Sequence, residues 1–215
     1  MTGRSNPASS RLTRLPLRAH LIRHGETAWS RSGQHTGRTD LGLTAHGEDE
    51  ARGLAQRLRP IGFTRVLVSP RLRARQTCEL AGFAPASEIE PDLAEWDYGD
   101  YEGRRSVDIR KEYPGWNVWR DGCPHGETPA EVSARADRVI AKLCTMHGNI
   151  ALFSHGQFGA ALAARWIGLP LIEGQHFALY PASLSILGCE PLHPDRRLIE
   201  LWNETAASRG QHSVL

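Results

Sequence analysis

"HLIRHGETAWSRSGQHTGRTD" fills residues 20–40, and "ALFSHGQ" fills residues 151–157. Each passes from an apolar-leaning run directly into a polar residue, a histidine and a glycine: Arg23-His24-Gly25 in the first, Ser154-His155-Gly156 in the second. Residues 19–22, followed by Gly25, read as a short buried strand that ends in a loop. "NIALFS" at 149–154 and "RVLVS" at 65–69 read as two more buried strands, and "SLSILG" at 183–188 and "RLIELW" at 197–202 as strands near the end.

Helical patterns lie between these strands. Thr44 caps a helix in which Ala51, Leu54, Ala55 and Leu58 recur at helical spacing until Pro60. Ser69 followed by Pro70 predicts an N-cap with proline at the first helical position, and so a helix from there toward Gly82. Thr128-Pro129-Ala130-Glu131 is a capping box, and Val132, Ala136, Val139, Ile140 and Leu143 form the apolar stripe of the helix it opens. "FGAALAARWIG" at 158–168 is another helix. Residues 85–126 are rich in Trp, Tyr, Gly and Asp and less periodic, which predicts long loops with one short helix over 106–113. Strands alternating with helices argue for an α/β fold of three layers, α/β/α, with a mainly parallel sheet covered on both faces.

The bulk properties are consistent with that. At 215 residues, 40% hydrophobic and 23% charged, the chain suits one globular domain. We expect tails at 1–17 and 206–215 around a single domain at 18–205. The N-terminal stretch is basic and rich in Ser and Pro, lacks the apolar region of a secretory signal, and is expected to be disordered. A net charge of +2, with basic residues spread along the chain, gives no indication of a nucleic-acid surface. No apolar run reaches the length of a membrane span. Cys78, Cys123, Cys144 and Cys189 lie far apart without a C-x-x-C pair, so reduced thiols in a cytoplasmic protein are expected rather than disulfides or a zinc site.

Three of the strands deliver polar residues that could converge. The first ends in Arg23-His24, the second in Ser69 and a helix bearing Arg71, Arg73 and Arg75, the third in Ser154-His155. In open α/β sheets, sites form beyond the carboxyl ends of the strands. Two histidines and at least two arginines at one sheet edge describe an anion pocket, for which phosphate is the natural occupant. A histidine after a strand is, on its own, more often a structural residue. The repeated His-Gly pair changes that reading, because glycine lets backbone approach a ligand closely.

"LIRHGETAW", "SPRLRARQT", "LAEWDYGDYEG", "GET" and "FSHG" resemble, in order and spacing, the motifs of the histidine phosphatase superfamily, over most of the chain from about His20 to Trp202. This branch includes cofactor-dependent phosphoglycerate mutases, sugar bisphosphatases and broad bacterial acid phosphatases. The resemblance implies a phosphoglycerate mutase-like fold and a phosphohistidine formed on His24. It implies Arg23, Arg73 and His155 as stabilisers of the phosphoryl oxygens. Glu95 matches the general acid and base. Ser30, Thr36 and Gly37 match phosphate-contacting loop positions, and Tyr98, Gly156 and Gln157 match other substrate-binding ones. Arg71 and Arg75 are read as surface or salt-bridged residues. Relatives usually have asparagine where Ser30 stands, and asparagine, histidine or glycine where Gln157 stands.

The resemblance also orders the activities. Mutases place an Arg-Arg pair after a tryptophan to hold a carboxylate, whereas here Trp119-Arg120 is followed by Asp121. Arg104 and Arg105 are expected to be exposed charge. The short polar tail predicts a sparse cover over the site, which favours hydrolysis over phosphoryl retention. The expected function is therefore that of an acid phosphatase-like phosphomonoesterase acting on small phosphorylated metabolites. Sugar bisphosphatase (sedoheptulose or fructose bisphosphate) is the first alternative, phosphoglycerate mutase the second, and an inactive phospho-ligand binder the reading from another class. No metal or other cofactor is expected, and no nucleic-acid or membrane partner. A homodimer is left open.

Overall fold

The computed structural model describes residues 16–190 and 192–206. Both expected tails lie almost wholly outside these residues. Six strands form one sheet: β1 Arg18–Arg23, β2 Phe63–Val68, β3 Ser87–Ile89, β4 Asn149–Ser154, β5 Leu184–Glu190 and β6 His193–Glu204, in the order β3-β2-β4-β1-β5-β6. β1, β2, β3 and β4 pair in parallel, and β5 runs antiparallel to both β1 and β6. The sheet is therefore mixed, with β5 the one reversed strand.

Among the described residues seven α-helices accompany it: α1 Ala28–Ser32, α2 Ala45–Leu58, α3 Leu72–Leu80, α4 Ser106–Glu112, α5 Val118–Asp121, α6 Pro129–Leu143 and α7 Gly156–Trp166. The caps expected at Thr44 and Thr128 form as read, with Glu131 completing the box. Strand alternation divides the core in two. Leu21, Ile150 and Leu152 pack with α6 and α7 residues such as Val132, Ile140 and Leu162. Ile22, Ala151 and Phe153 pack on the opposite side with Leu54 and Leu58 of α2 and Ala74 and Cys78 of α3. The result is the expected α/β/α layering.

Some boundaries differ from the sequence reading. The helix expected at Ser69 begins at Leu72, with Arg71 as its N-cap and no side-chain cap bond. The Ser69 hydroxyl is turned elsewhere, as described below. α7 opens at Gly156, two residues earlier than read. β3 and α5 were not expected, since three and four residues leave no periodicity to read. Among the described residues, no helix is long and apolar enough to cross a membrane, and the four cysteines are free thiols.

Candidate active site

β2, β4 and β1 are neighbours in the sheet, so their carboxyl ends bring Ser69, His155 and His24 to one edge. The two imidazole rings lie 5.2 Å apart, centroid to centroid, in an edge-on arrangement. His24 Nδ1 is 2.7 Å from the carbonyl of Gly25. A carbonyl only accepts, so Nδ1 carries the proton and Nε2 keeps its lone pair. His155 is bonded through Nε2 to the Ser69 hydroxyl at 2.7 Å. The Arg71 N–H donates to that same hydroxyl oxygen at 3.3 Å, and with the Ser69 hydroxyl donating in turn to His155 Nε2 the ring's own proton sits on Nδ1. His155 Nδ1 is buried with no hydrogen-bond partner in the protein.

Both rings are held neutral. Burial pushes the His24 pKa well below its usual 6.5, and the Arg73 and Arg23 guanidiniums push it further down. His155 is lowered in the same way, first by burial and then by Arg73 and His24. His24 is thus disfavoured as the cation and keeps one ring proton, on Nδ1.

Gly25 and Gly156 turn out to serve different ends. A Cβ on Gly25 would stand 2.3 Å from the carbonyl oxygen of Gly47, so this glycine admits α2 to the strand end, not a ligand. A Cβ on Gly156 would instead press on the Arg23 guanidinium at 3.2 Å. Arg23 donates through Nη1 to the carbonyl of Leu179, and its Nε is buried without a partner.

Arg73 is fully buried. Its Nη2 donates to the carbonyls of Thr36 and Gly37 at 2.7 and 3.2 Å, and its Nη1 to that of Thr39 at 3.2 Å. Only its Nε lacks a partner. From the other side the Glu102 carboxylate accepts the N–H groups of Gly37 at 2.8 Å, Thr39 at 3.1 Å and Arg38 at 3.4 Å. Residues 36–39 are therefore clamped between a cation on their carbonyls and an anion on their N–H groups.

Glu95 is buried at the N-terminus of α7. Its Oε1 accepts from the N–H of Phe158 at 2.7 Å and of Trp96 at 2.9 Å, and its Oε2 from that of Gln157 at 3.0 Å. A helix N-terminus offers free N–H groups to an anion, which fixes the carboxylate's position. Arg135 braces the segment before it, donating to the carbonyls of Asp92 and Ala94 at 2.9 and 2.6 Å and pairing with Glu127 at 2.7 Å.

A pocket of about 320 Å³ opens here, lined by Arg23, His24, Glu95, Tyr98, Gly156 and Gln157, with Ser30 and Thr36 at its side; Arg73 and His155 are not among its lining residues. Tyr98 donates its hydroxyl to Gln157 Oε1 and stacks on His35 at 4.4 Å. Two expected contacts are already engaged. The Ser30 hydroxyl accepts from the Thr27 N–H at 2.8 Å, and Thr27 Oγ1 accepts from the Ser30 N–H at 3.1 Å, a closed capping box for α1. The Gly37 N–H belongs to Glu102, and a Cβ there would meet the Trp96 carbonyl at 2.4 Å. Arg75 is exposed as expected, but Arg71 is half-buried and its charge helps lower the pKa of His155.

Sequence reading missed Ser69 as the partner of His155, Glu102 as the clamp, and His35, Trp29 and Trp119 as lining residues. Arg104, Arg105 and Arg120 are each paired on the surface, with Glu112, Asp108 and Asp121 respectively. Among the described residues, no group of three or more His, Cys, Asp or Glu side chains could hold a metal ion.

Comparison with known proteins agrees with this geometry. An acid phosphatase of Mycobacterium tuberculosis is 45% identical over 84% of this chain and 90% of its own length. Sedoheptulose 1,7-bisphosphatase of Saccharomyces cerevisiae is 40% identical over 72% of this chain and 69% of its own. The crystal structure of the α-ribazole phosphatase of Shigella flexneri superposes with a TM-score of 0.77 at 31% identity, covering 87% of this chain and 96% of that one. Residues 19–205 match the histidine phosphatase superfamily, branch 1, and the chain belongs to that superfamily.

Proposed function

We propose that this phosphatase hydrolyses small phosphomonoesters through a phosphohistidine on His24. The observation that carries the reading is the His24 Nδ1 bond to Gly25, which leaves an unprotonated Nε2 at the pocket. The Nε2 lone pair attacks phosphorus, and the phosphorus–oxygen bond to the leaving group breaks as Glu95 supplies that oxygen with a proton. Water then attacks the phosphohistidine, Glu95 takes the water's proton, and the phosphorus–nitrogen bond breaks to release phosphate and neutral His24. Arg23, the Nε of Arg73 and the Nδ1 of His155 offer N–H groups without protein partners, the donor set needed for the equatorial oxygens. Tyr98, Gly156 and Gln157 line the path of the leaving group.

The similarity to an acid phosphatase supports this reading. A mutase needs a cation for the substrate carboxylate. Arg120, which stands nearest that role in sequence, instead grips Asp121 through two bonds of 2.8 Å. An inactive phospho-ligand binder would have no use for a free Nε2 opposite a positioned carboxylate. The sugar bisphosphatase reading draws on the yeast relative, and substrate comparison separates it. Enzyme incubated with a ³²P-labelled phosphoester and quenched in alkaline detergent should carry base-stable, acid-labile label, and His24→Ala should carry none while turnover falls by on the order of 10⁴-fold or more. Label on the alanine variant would reassign the nucleophile.

A further inference from the structure

Outward from the phosphoryl groups, the pocket wall changes character. Trp29, Gln34, His35, Trp119, Gln175 and Phe177 line it, and none carries a formal charge at neutral pH. Even His35 stays neutral, since burial and the nearby Arg110 lower its pKa to about 4. The cations nearest in sequence are turned away. Arg104, Arg105 and Arg120 sit in the surface ion pairs already described, and Arg31 is exposed and faces Glu26 at 3.9 Å. Arg38 pairs with Asp97 at 2.9 Å, and Arg110 is exposed, donates to the Trp116 carbonyl at 3.0 Å and does not line the pocket.

The two tryptophans are fixed planes. Gly103, at φ +77°, lies so close to Trp29 that a Cβ would meet the ring at 2.9 Å. Gly174 lies closer still to Trp119, where a Cβ would meet the ring at 2.4 Å. Trp119 is also held edge-on by Trp96 at 5.5 Å. Of the three lining amides, Gln34 is engaged by Ser32 and the Gly103 carbonyl, and the other two supply the polar contacts. Gln157 Oε1 is taken by the Tyr98 hydroxyl, and Gln175 Oε1 by the Asn117 amide at 2.9 Å. The NH₂ group of each is left to donate. Rigid aromatic faces with a few neutral donors suit an uncharged ring whose CH faces stack and whose hydroxyl oxygens accept.

We propose that this outer chamber selects monophosphates of uncharged, hydroxyl-bearing ring compounds and discriminates against a second phosphate or a carboxylate on the leaving group. The selection rests on the phosphomonoesterase reading and adds substrate class to it. A second anion would meet aromatic rings and amides where it needs a cation, and would lie on the same side as Glu95.

Matched pairs test this. The values of kcat/KM are compared for fructose 6-phosphate against fructose 1,6-bisphosphate, and for glycerol 3-phosphate against 3-phosphoglycerate, with p-nitrophenyl phosphate as a common control. The member of each pair whose leaving group is uncharged should lead by about tenfold or more. Fructose 6-phosphate should also lead glycerol 3-phosphate, and Trp29→Ala should close that gap. Gln175→Arg should shift the first pair toward the bisphosphate. Equal or better use of the charged members by the wild type would overturn the selection, as would a glycerol phosphate rate equal to that of the sugar phosphate. Failure to hydrolyse any substrate, p-nitrophenyl phosphate included, would instead remove the phosphomonoesterase reading on which the selection stands.

Discussion

The floor of the pocket and its outer wall are organised by different forces. At the floor, hydrogen bonds fix the groups proposed to react: His24 to the Gly25 carbonyl, His155 to Ser69, Arg73 to three carbonyls, Glu95 to three N–H groups. At the wall, packing fixes them: Tyr98 on His35, Trp119 against Trp96, glycines beneath Trp29 and Trp119. Hydrogen bonds are directional and set an atom's position closely, as bond-making chemistry requires. Ring packing sets a shape and leaves the atoms of the ligand to find their places. The floor should therefore govern rate for every substrate, and the wall should govern choice and stability.

The sharpest test of the division is Glu95→Gln, which removes the transferable proton and, with its amide nitrogen at the Oε2 position, the bond from the Gln157 N–H, while keeping the two N–H bonds to Oε1. In single turnover it should slow phosphoenzyme formation from alkyl phosphates by roughly 10²–10⁴-fold and from p-nitrophenyl phosphate far less, since nitrophenolate leaves without help. Equal slowing of both would take the acid role from Glu95. Next in size, His155→Ala should lower turnover by about 10²–10³-fold, as loss of an oxyanion donor does, yet leave slow labelling of His24. A variant with no label at all would make His155 part of the bond-forming step.

The wall answers differently. Its His35 has a usual pKa of 6.5 and one of about 4 in the fold, so the unfolded chain binds the extra proton between those values. Stability from this residue is whole above pH 6.5 and is lost as the pH falls toward 4, on the order of 3 kcal/mol in all. His20, His24 and His155 contribute with the same sign, so the informative measurement is a difference. His35→Gln should flatten the dependence of Tm on pH between 4 and 6.5 relative to the wild type. An unchanged slope would mean that His35 is not held neutral. The smallest effect is expected from Ser30→Ala. Loss of the Ser30 half of the α1 capping box, the acceptor for the Thr27 N–H, should cost about 1 kcal/mol of stability with little change in KM, because the hydroxyl is engaged by the helix start. A large rise in KM would return Ser30 to the floor.

The same contrast explains what could be read from sequence. The floor hangs on strand ends, and buried strands announce themselves as short apolar runs, so β1, β2 and β4 and the residues after them were legible. Ser69 was misread because an Ser-Pro pair after a strand is a good helix start. Only the fold shows that its hydroxyl faces His155, from 86 positions away. The wall is drawn from residues 96–126, α1 and the turn near Gly174, which meet only in three dimensions and share no period. The reversal of β5 was illegible for a like reason, since an apolar run does not state its direction. Of the floor residues, Glu102 was within reach: it stands inside the "DYEG" motif, but nothing local said what three N–H groups would meet it.

The clamp that Glu102 forms with Arg73 also bears on how substrate preference can change by exchange of segments. Glu102 is supplied by the stretch that builds the wall, yet its carboxylate fastens residues 36–39 of the floor. Grafts confined to residues 104–126 can remodel the chamber while the phosphoryl pocket stays assembled. A graft that begins upstream and removes this carboxylate unties the loop that Arg73 holds and leaves three N–H groups without their acceptor. Donor segments for such chimeras are therefore best chosen first for a glutamate in this register, and only then for the rings and amides that follow it.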